Sequence, residues 1–242
     1  MVIGSKPGVG TCHICLCTKQ LTYEHIPPKA AFNDRPTIDI AIQDAISLGP
    51  NSRPRGPLQQ RGVGRYSLCE GCNNKTGHWY GKDFVDWCYQ GAFLLLRSEG
   101  KPSLQYRYHI FPLNVLKQIA SMFLSINDEW FCKGNEELAR FVANPRVNHL
   151  SPTYRFFVHY NISNALRSVG HSVKANLETG NLIELSEITF PPFGYVMTLD
   201  SDPPDNRLVE ITYFSKFEYR EAKDLWLSFP VLPVVGAAPG FY

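Results

Sequence analysis

The sequence predicts an α+β chain in two parts, a small amino-terminal module over residues 1–99 and a larger α+β domain over residues 100–242. Three observations carry that expectation. Two C-x-x-C pairs, Cys12 with Cys15 and Cys69 with Cys72, bracket a 53-residue stretch near the amino terminus. Apolar residues recur at three- and four-residue spacing from Tyr80 to Leu95 and again from Leu116 to Leu124, the period of a helix that buries one face. After Pro152, six short runs rich in β-branched and aromatic residues follow one another, and these read as strands.

Taken in order, residues 1–11 hold Gly4, Pro7, Gly8 and Gly10 without periodicity and predict a mobile leader. Gln20 to Tyr23 favours a short strand, and Pro27-Pro28 stops any helix before Lys29, so His25 falls at the end of an extended segment. A short helix is expected around Ile40 to Leu48, followed by an irregular Gly- and Pro-rich excursion over 49–64. Tyr66 to Leu68 returns as a strand into the second cysteine pair. From Asn73 the pattern is helical to about Arg97, with Gly77 and Gly81 weakening the first turns and predicting a bend near residue 81.

Beyond Gly100, Leu104 to Ile110 alternates as a strand, Pro112 opens a strong helix through Leu124, and a second short helix covers Asn135 to Val142. The expected strands are Tyr154–Tyr160, Ser172–Leu177, Leu182–Phe190, Tyr195–Leu199, Leu208–Phe214 and Leu225–Leu232, with Thr179-Gly180 as a hairpin turn.

A content of 44% apolar and 13% aromatic residues in 242 is ample for a packed core. There is no apolar run of the length that crosses a bilayer and no apolar region of a leader peptide, so a cytoplasmic protein with no membrane contact is expected. In a reducing compartment, paired cysteines favour metal ligation over disulfides, which leaves Cys17, Cys88 and Cys132 as free thiols. The net charge of +2 is unevenly spread: residues 1–82 hold ten Lys or Arg against five Asp or Glu, and residues 83–242 fourteen against seventeen. Arg53, Arg55, Arg61 and Arg65 stand among Gly and Pro in a segment able to reach along a phosphate backbone, and Lys29 and Lys75 are further candidates for phosphate contact.

Four thiolates from two C-x-x-C pairs are the ligand set of a tetrahedral zinc site, although Cys17 is close enough to stand in for Cys15. Closing that staple would set Glu24-His25 beside Asn73. A neutral imidazole takes a proton from water at cellular pH, which makes His25 a candidate general base. The carboxylate of Glu24 and the amide oxygen of Asn73 are hard ligands suited to Mg²⁺ or Mn²⁺. Asn73 also has the chemistry of a helix N-cap, and His13, between two ligands, is expected to be exposed.

Cys12-x-x-Cys15, Glu24-His25 and Cys69-x-x-Cys72-Asn73 together resemble the HNH, or ββα-metal, nucleases, in the zinc-stapled branch that includes recombination endonuclease VII. The resemblance spans Cys12 to about Gly77. It implies a ββα-metal module with a structural zinc and a catalytic divalent ion. It further implies phosphodiester cleavage leaving a 5′-phosphate and a 3′-hydroxyl, with DNA favoured over RNA. Glu24 stands where most members carry Asp or His, and the asparagine that orients the base has no evident counterpart: Asn51, Gln59 and Gln60 are the alternatives. By analogy, the chain would be the effector of a bacterial anti-phage complex. The alternative is a non-catalytic zinc-ribbon module that binds nucleic acid. Residues 100–242, without the positive excess of the amino-terminal part and without a chemical motif, are expected to hold a protein partner or another copy of the chain and to take no part in cleavage.

Overall fold

The computed structural model describes residues 8–41, 44–45, 55–163, 166–175, 180–234, 239–240 and 242. Asn51, Arg53, Thr179 and most of the helix expected around Ile40 to Leu48 lie outside them. Among the described residues the chain is α+β, and no helix is long and apolar enough to cross a membrane.

Strand pairing is what gathers the cysteines. β1 (Val9–Thr11), β2 (Thr18–His25) and β5 (Gly64–Cys69) form an antiparallel three-stranded sheet with β2 in the centre. β1 occupies part of the expected leader, and Gly10 leaves room for the Leu21 side chain, which would stand 2.9 Å from a Cβ there. The first C-x-x-C lies in the β1–β2 turn and the second begins in the last residue of β5, so the register Leu21 opposite Cys69 carries the pairs toward one another. β3 (Thr37–Ile38) and β4 (Leu58–Gln59) make a short antiparallel ribbon in the intervening excursion.

The helix after β5 starts earlier than its apolar stripe. α1 (Glu70–Thr76) runs through a π turn (Gly77–Gly81) into α2 (Lys82–Leu95). Cys69, with extended φ and ψ, occupies the N-cap position. Asn73 therefore lies inside the helix and is not its cap. The disturbance expected near residue 81 is this π turn, whose extra residue re-aims the helix face.

α3 (Pro112–Ile126) is buried along its whole length. A stripe of apolar residues predicts one covered face, but its other positions are Asn, Gln, Ser and a single Lys, and they are covered as well. α4 (Glu129–Gly134) was not foreseen; its signal is Asp128, whose side chain accepts from the Phe131 N–H at 2.8 Å. α5 (Glu136–Ala143) follows.

The large sheet contains β6 (Ser103–Ile110), β12 (Lys223–Leu232), β7 (Tyr154–Asn161), β10 (Phe193–Leu199), β9 (Leu182–Phe190) and β8 (Arg167–Ala175) in that spatial order. β12 and β7 are parallel and the other pairings antiparallel. The strand expected over Leu208–Phe214 shrinks to β11 (Val209–Glu210), paired with β7, and a 3₁₀ turn over Thr212–Lys216. The Thr212 hydroxyl accepts from the Phe156 N–H, a side-chain bond that takes the place of further ladder pairing.

The apolar core is continuous across the boundary expected at residue 99. One cluster runs from Cys12 and Ile14 through Tyr80, Phe84 and Trp87 to Phe193 and Phe229. Trp87 stacks on Phe193 with centroids 4.6 Å apart and donates its indole N–H to the Tyr195 hydroxyl. Two polar ties close the end of α3. His13 Nδ1 donates to the Leu124 carbonyl and the Arg65 guanidinium donates to that of Ile126, each at 2.8 Å. Helix carbonyls in the last turn lack intrahelical partners, and cationic or N–H side chains satisfy them. His13 is therefore half-buried rather than exposed, and burial lowers its pKa. Arg65 is a β5 residue turned inward to α3, not part of a flexible phosphate-binding segment.

Candidate active site and metal centre

The sulfurs of Cys12, Cys15, Cys69 and Cys72 all lie within 4.8 Å of one another, with Cys15 and Cys69 at 3.9 Å. A tetrahedral zinc with Zn–S bonds of about 2.3 Å requires sulfurs about 3.8 Å apart, so these four cysteines can hold such an ion. The Cys69 N–H donates to Cys12 Sγ at 3.3 Å, and Leu16 takes a φ of 57° to turn the chain back toward β2. A hydrogen bond from Cys72 pulls the Cys12 thiol down to about 4, and the same contact pushes Cys72 up. Cys17 is exposed, bonded to the Cys15 carbonyl, and outside the cluster, which decides between it and Cys15.

Glu24, His25 and Asn73 line one cavity of about 460 Å³, together with Lys29, Lys82, Gly77, Gly81 and Gln118. His25 ends β2 opposite Gly64. Its Nε2 is 3.0 Å from the Arg61 carbonyl. A carbonyl only accepts, so the ring proton is on Nε2 and Nδ1 keeps its lone pair. Burial lowers the His25 pKa; the charges of Lys29 and Arg61 push the same way, against the bond to the carbonyl. The ring is thereby neutral and able to accept a proton near pH 7.

The neighbouring Glu24 is buried, and burial alone raises its carboxyl to about 8. An acid kept neutral for want of a cationic partner is a fitting ligand for a divalent cation, whose arrival would offset the cost of ionising it. Asn73 is oriented by its amide N–H₂, which donates to the Thr22 hydroxyl at 3.0 Å and the Tyr23 carbonyl at 3.3 Å. Its Oδ1 has no hydrogen-bond partner among the described residues.

The loop beneath His25 is held by Asn33, which the sequence reading missed. Its Nδ2 donates to the carbonyls of Pro27 and Val63, and its Oδ1 accepts from the Val63 N–H, all at 2.7 Å. The Tyr23 hydroxyl donates to the Gly62 carbonyl in the same turn. The His25 ring is thus oriented by the Arg61–Val63 backbone, and the Gln59 amide is instead bonded to Asp39.

The basic residues separate into groups. Lys29 lines the cavity, as does Lys82, which was not singled out. Arg55, Arg61 and Lys75 are exposed and do not line it. Lys82 was findable in principle: Asn73, Gly77, Gly81 and Val85 recur every four residues and all line the cavity, which marks the helix face Lys82 adjoins. A Cβ built on Gly77 or Gly81 meets nothing within 4 Å, so both glycines leave open volume there.

Compared with known proteins, the chain matches no family model, no curated protein and no solved structure.

Proposed function

We propose that this chain is a zinc-stapled, metal-dependent endonuclease of the HNH type that hydrolyses phosphodiester bonds in nucleic acid, DNA in preference to RNA. The observation that carries the reading is the convergence of Glu24, His25 and Asn73 on one cavity with the His25 proton held on Nε2. The order of β2, β5 and α1, antiparallel strands followed by a helix, is what a ββα-metal module requires and supports the same reading.

In this mechanism His25 Nδ1 takes a proton from the attacking water, and the Arg61 carbonyl stabilises the imidazolium that results. Glu24 and Asn73 would hold Mg²⁺ or Mn²⁺, which when bound supplies charge stabilisation at the leaving oxygen. Lys29 and Lys82 neutralise the phosphate that enters the cavity, a contact indifferent to base sequence. The four cysteines would hold the zinc, which when bound would tie β2 to α1 and keep the base and the oxygen ligands facing one another.

The test is nicking of supercoiled plasmid by the zinc-loaded chain. Cleavage that needs Mg²⁺ or Mn²⁺ and is lost in a folded His25→Ala variant supports the proposal. Nucleic-acid binding with no cleavage under any divalent ion would sink it and favour a non-catalytic zinc-ribbon module.

A further inference from the structure

Gln118 lies on α3, far in sequence from both cysteine pairs, and it lines the cavity that holds Glu24, His25 and Asn73. The residue is 1% exposed, and its Oε1 has no hydrogen-bond partner among the described residues. Buried polar atoms are rarely left in that state, and one carried by a residue that lines a cavity points to something that enters it. Glu24 and Asn73 line the same cavity, and Asn73 Oδ1 has no hydrogen-bond partner among the described residues. A third uncharged oxygen beside them makes a set of hard donors on three separate elements, β2, α1 and α3.

Resting on the cation centre proposed above, we infer that Gln118 is a third oxygen ligand of that divalent ion, contributed by α3 directly or through one of the ion's waters. Residues 100–242 then supply part of the site instead of only carrying it. The position of α3 suits the role, because its neighbours on the helix are fixed. Asn114 Nδ2 donates to Asp83 Oδ2 at 2.6 Å and to the Trp79 carbonyl at 3.3 Å, which ties α3 to the helical segment that follows Asn73. Lys117 donates to the carbonyls of Phe141 and Asn144 and prevents α3 from sliding against α5. Gln118 is thus presented from a rigid backbone, the condition for a ligand whose reach must be right within a fraction of an ångström.

The experiment is titration of the full, zinc-loaded chain with Mn²⁺ at pH 8, reading free Mn²⁺ by electron paramagnetic resonance, without nucleic acid. Gln118→Leu keeps the volume and removes the oxygen. It should weaken Mn²⁺ binding about tenfold or more without lowering Tm in Mn²⁺-free buffer, since it also removes an unpartnered buried atom. Gln118→Glu should bind Mn²⁺ more tightly than the wild type. A wild type that binds Mn²⁺ and loses it in Glu24→Gln, while both Gln118 variants bind unchanged, overturns the inference and leaves the cation centre standing. A wild type that binds no Mn²⁺ overturns the centre itself, and the role of Gln118 with it.

Discussion

His25 Nε2 sits 3.0 Å from the carbonyl oxygen of Arg61, 36 residues away in the chain. The proton of the candidate base is therefore placed by a peptide group in a turn. That turn depends on Gly62, whose φ is 88° and whose added Cβ would stand 2.2 Å from the Asn33 carbonyl.

Two substitutions separate what this pair contributes to chemistry from what it contributes to stability. His25→Ala should lower cleavage by about 10²- to 10⁴-fold, the usual worth of a general base, with little change in Tm, because the ring is only partly buried. Gly62→Ala should lower both cleavage and stability, the latter by more than about 1 kcal/mol, since the backbone there cannot give way. Thermal unfolding and plasmid nicking on the same preparations check this. A Gly62→Ala chain with wild-type activity would show that the turn does not position the base.

Metal at the cysteines should be coupled to folding of the amino-terminal sheet. β1, β2 and α1 meet at the cluster, and the sulfurs, within 4.8 Å of one another, repel as thiolates when nothing lies between them. Cys69→Ser or Cys72→Ser should release zinc and open residues 8–41 to protease. Elemental analysis and limited proteolysis report it, and native protein without bound zinc would refute it.

The outline of this site was legible because its chemistry is local in sequence. C-x-x-C spacing, Glu24 next to His25 and Asn73 next to Cys72 are each readable without a fold. What was not legible depends on long-range packing. Asn33 looks like an ordinary loop residue until its amide is seen to join Pro27 to Val63. Arg65 and His13 look like surface groups until the carbonyls at the end of α3 are placed beside them. A strand was legible where turn signals bound a run with β-branched and aromatic residues, as in Leu182–Phe190 between Thr179-Gly180 and Pro191-Pro192, which β9 reproduces at both ends. The strand expected over Leu208–Phe214 is shorter, because the Thr212 hydroxyl accepts the Phe156 N–H in place of a ladder bond.

Glu24 gives the chain a pH dependence of defined sign in buffer free of divalent ions. Its folded carboxyl is raised to about 8 by burial, whereas the unfolded one titrates near 4.5. Between those values the folded chain binds a proton that the unfolded chain has lost, so stability falls as pH rises through the window. The cost approaches a few kcal/mol at the upper end. Glu24→Gln does not titrate, so its advantage in Tm over the wild type should be small near pH 4.5 and grow toward pH 8. Adding Mn²⁺ at pH 8 should stabilise the wild type and not the variant. A Tm difference that does not change between pH 5 and pH 8 would contradict the buried, neutral acid.

The two glycines of the cavity wall should set stability against activity. Gly77 and Gly81 have ordinary helical dihedrals, with φ of −58° and −57°, so neither needs glycine for its backbone. Alanine at either position should stabilise the chain by about 0.4–1 kcal/mol, by restricting the unfolded state and by its better helix propensity. Among the described residues nothing opposes the added methyl, because beyond the helix's own backbone no heavy atom lies within 4 Å of it. That space is the cavity itself, on the face Gly77 and Gly81 share with Asn73 and Val85. If nucleic acid or its ion comes close to the helix backbone there, the methyl groups intrude on it, and Gly77→Ala/Gly81→Ala should cleave more slowly despite a higher Tm. The loss should appear chiefly in KM if substrate is kept out and in kcat if it is held out of line with His25. A double variant that is more stable and fully active would show that substrate does not approach this wall, and the site would then have to be sought on the side of the cavity formed by Lys29 and Pro28.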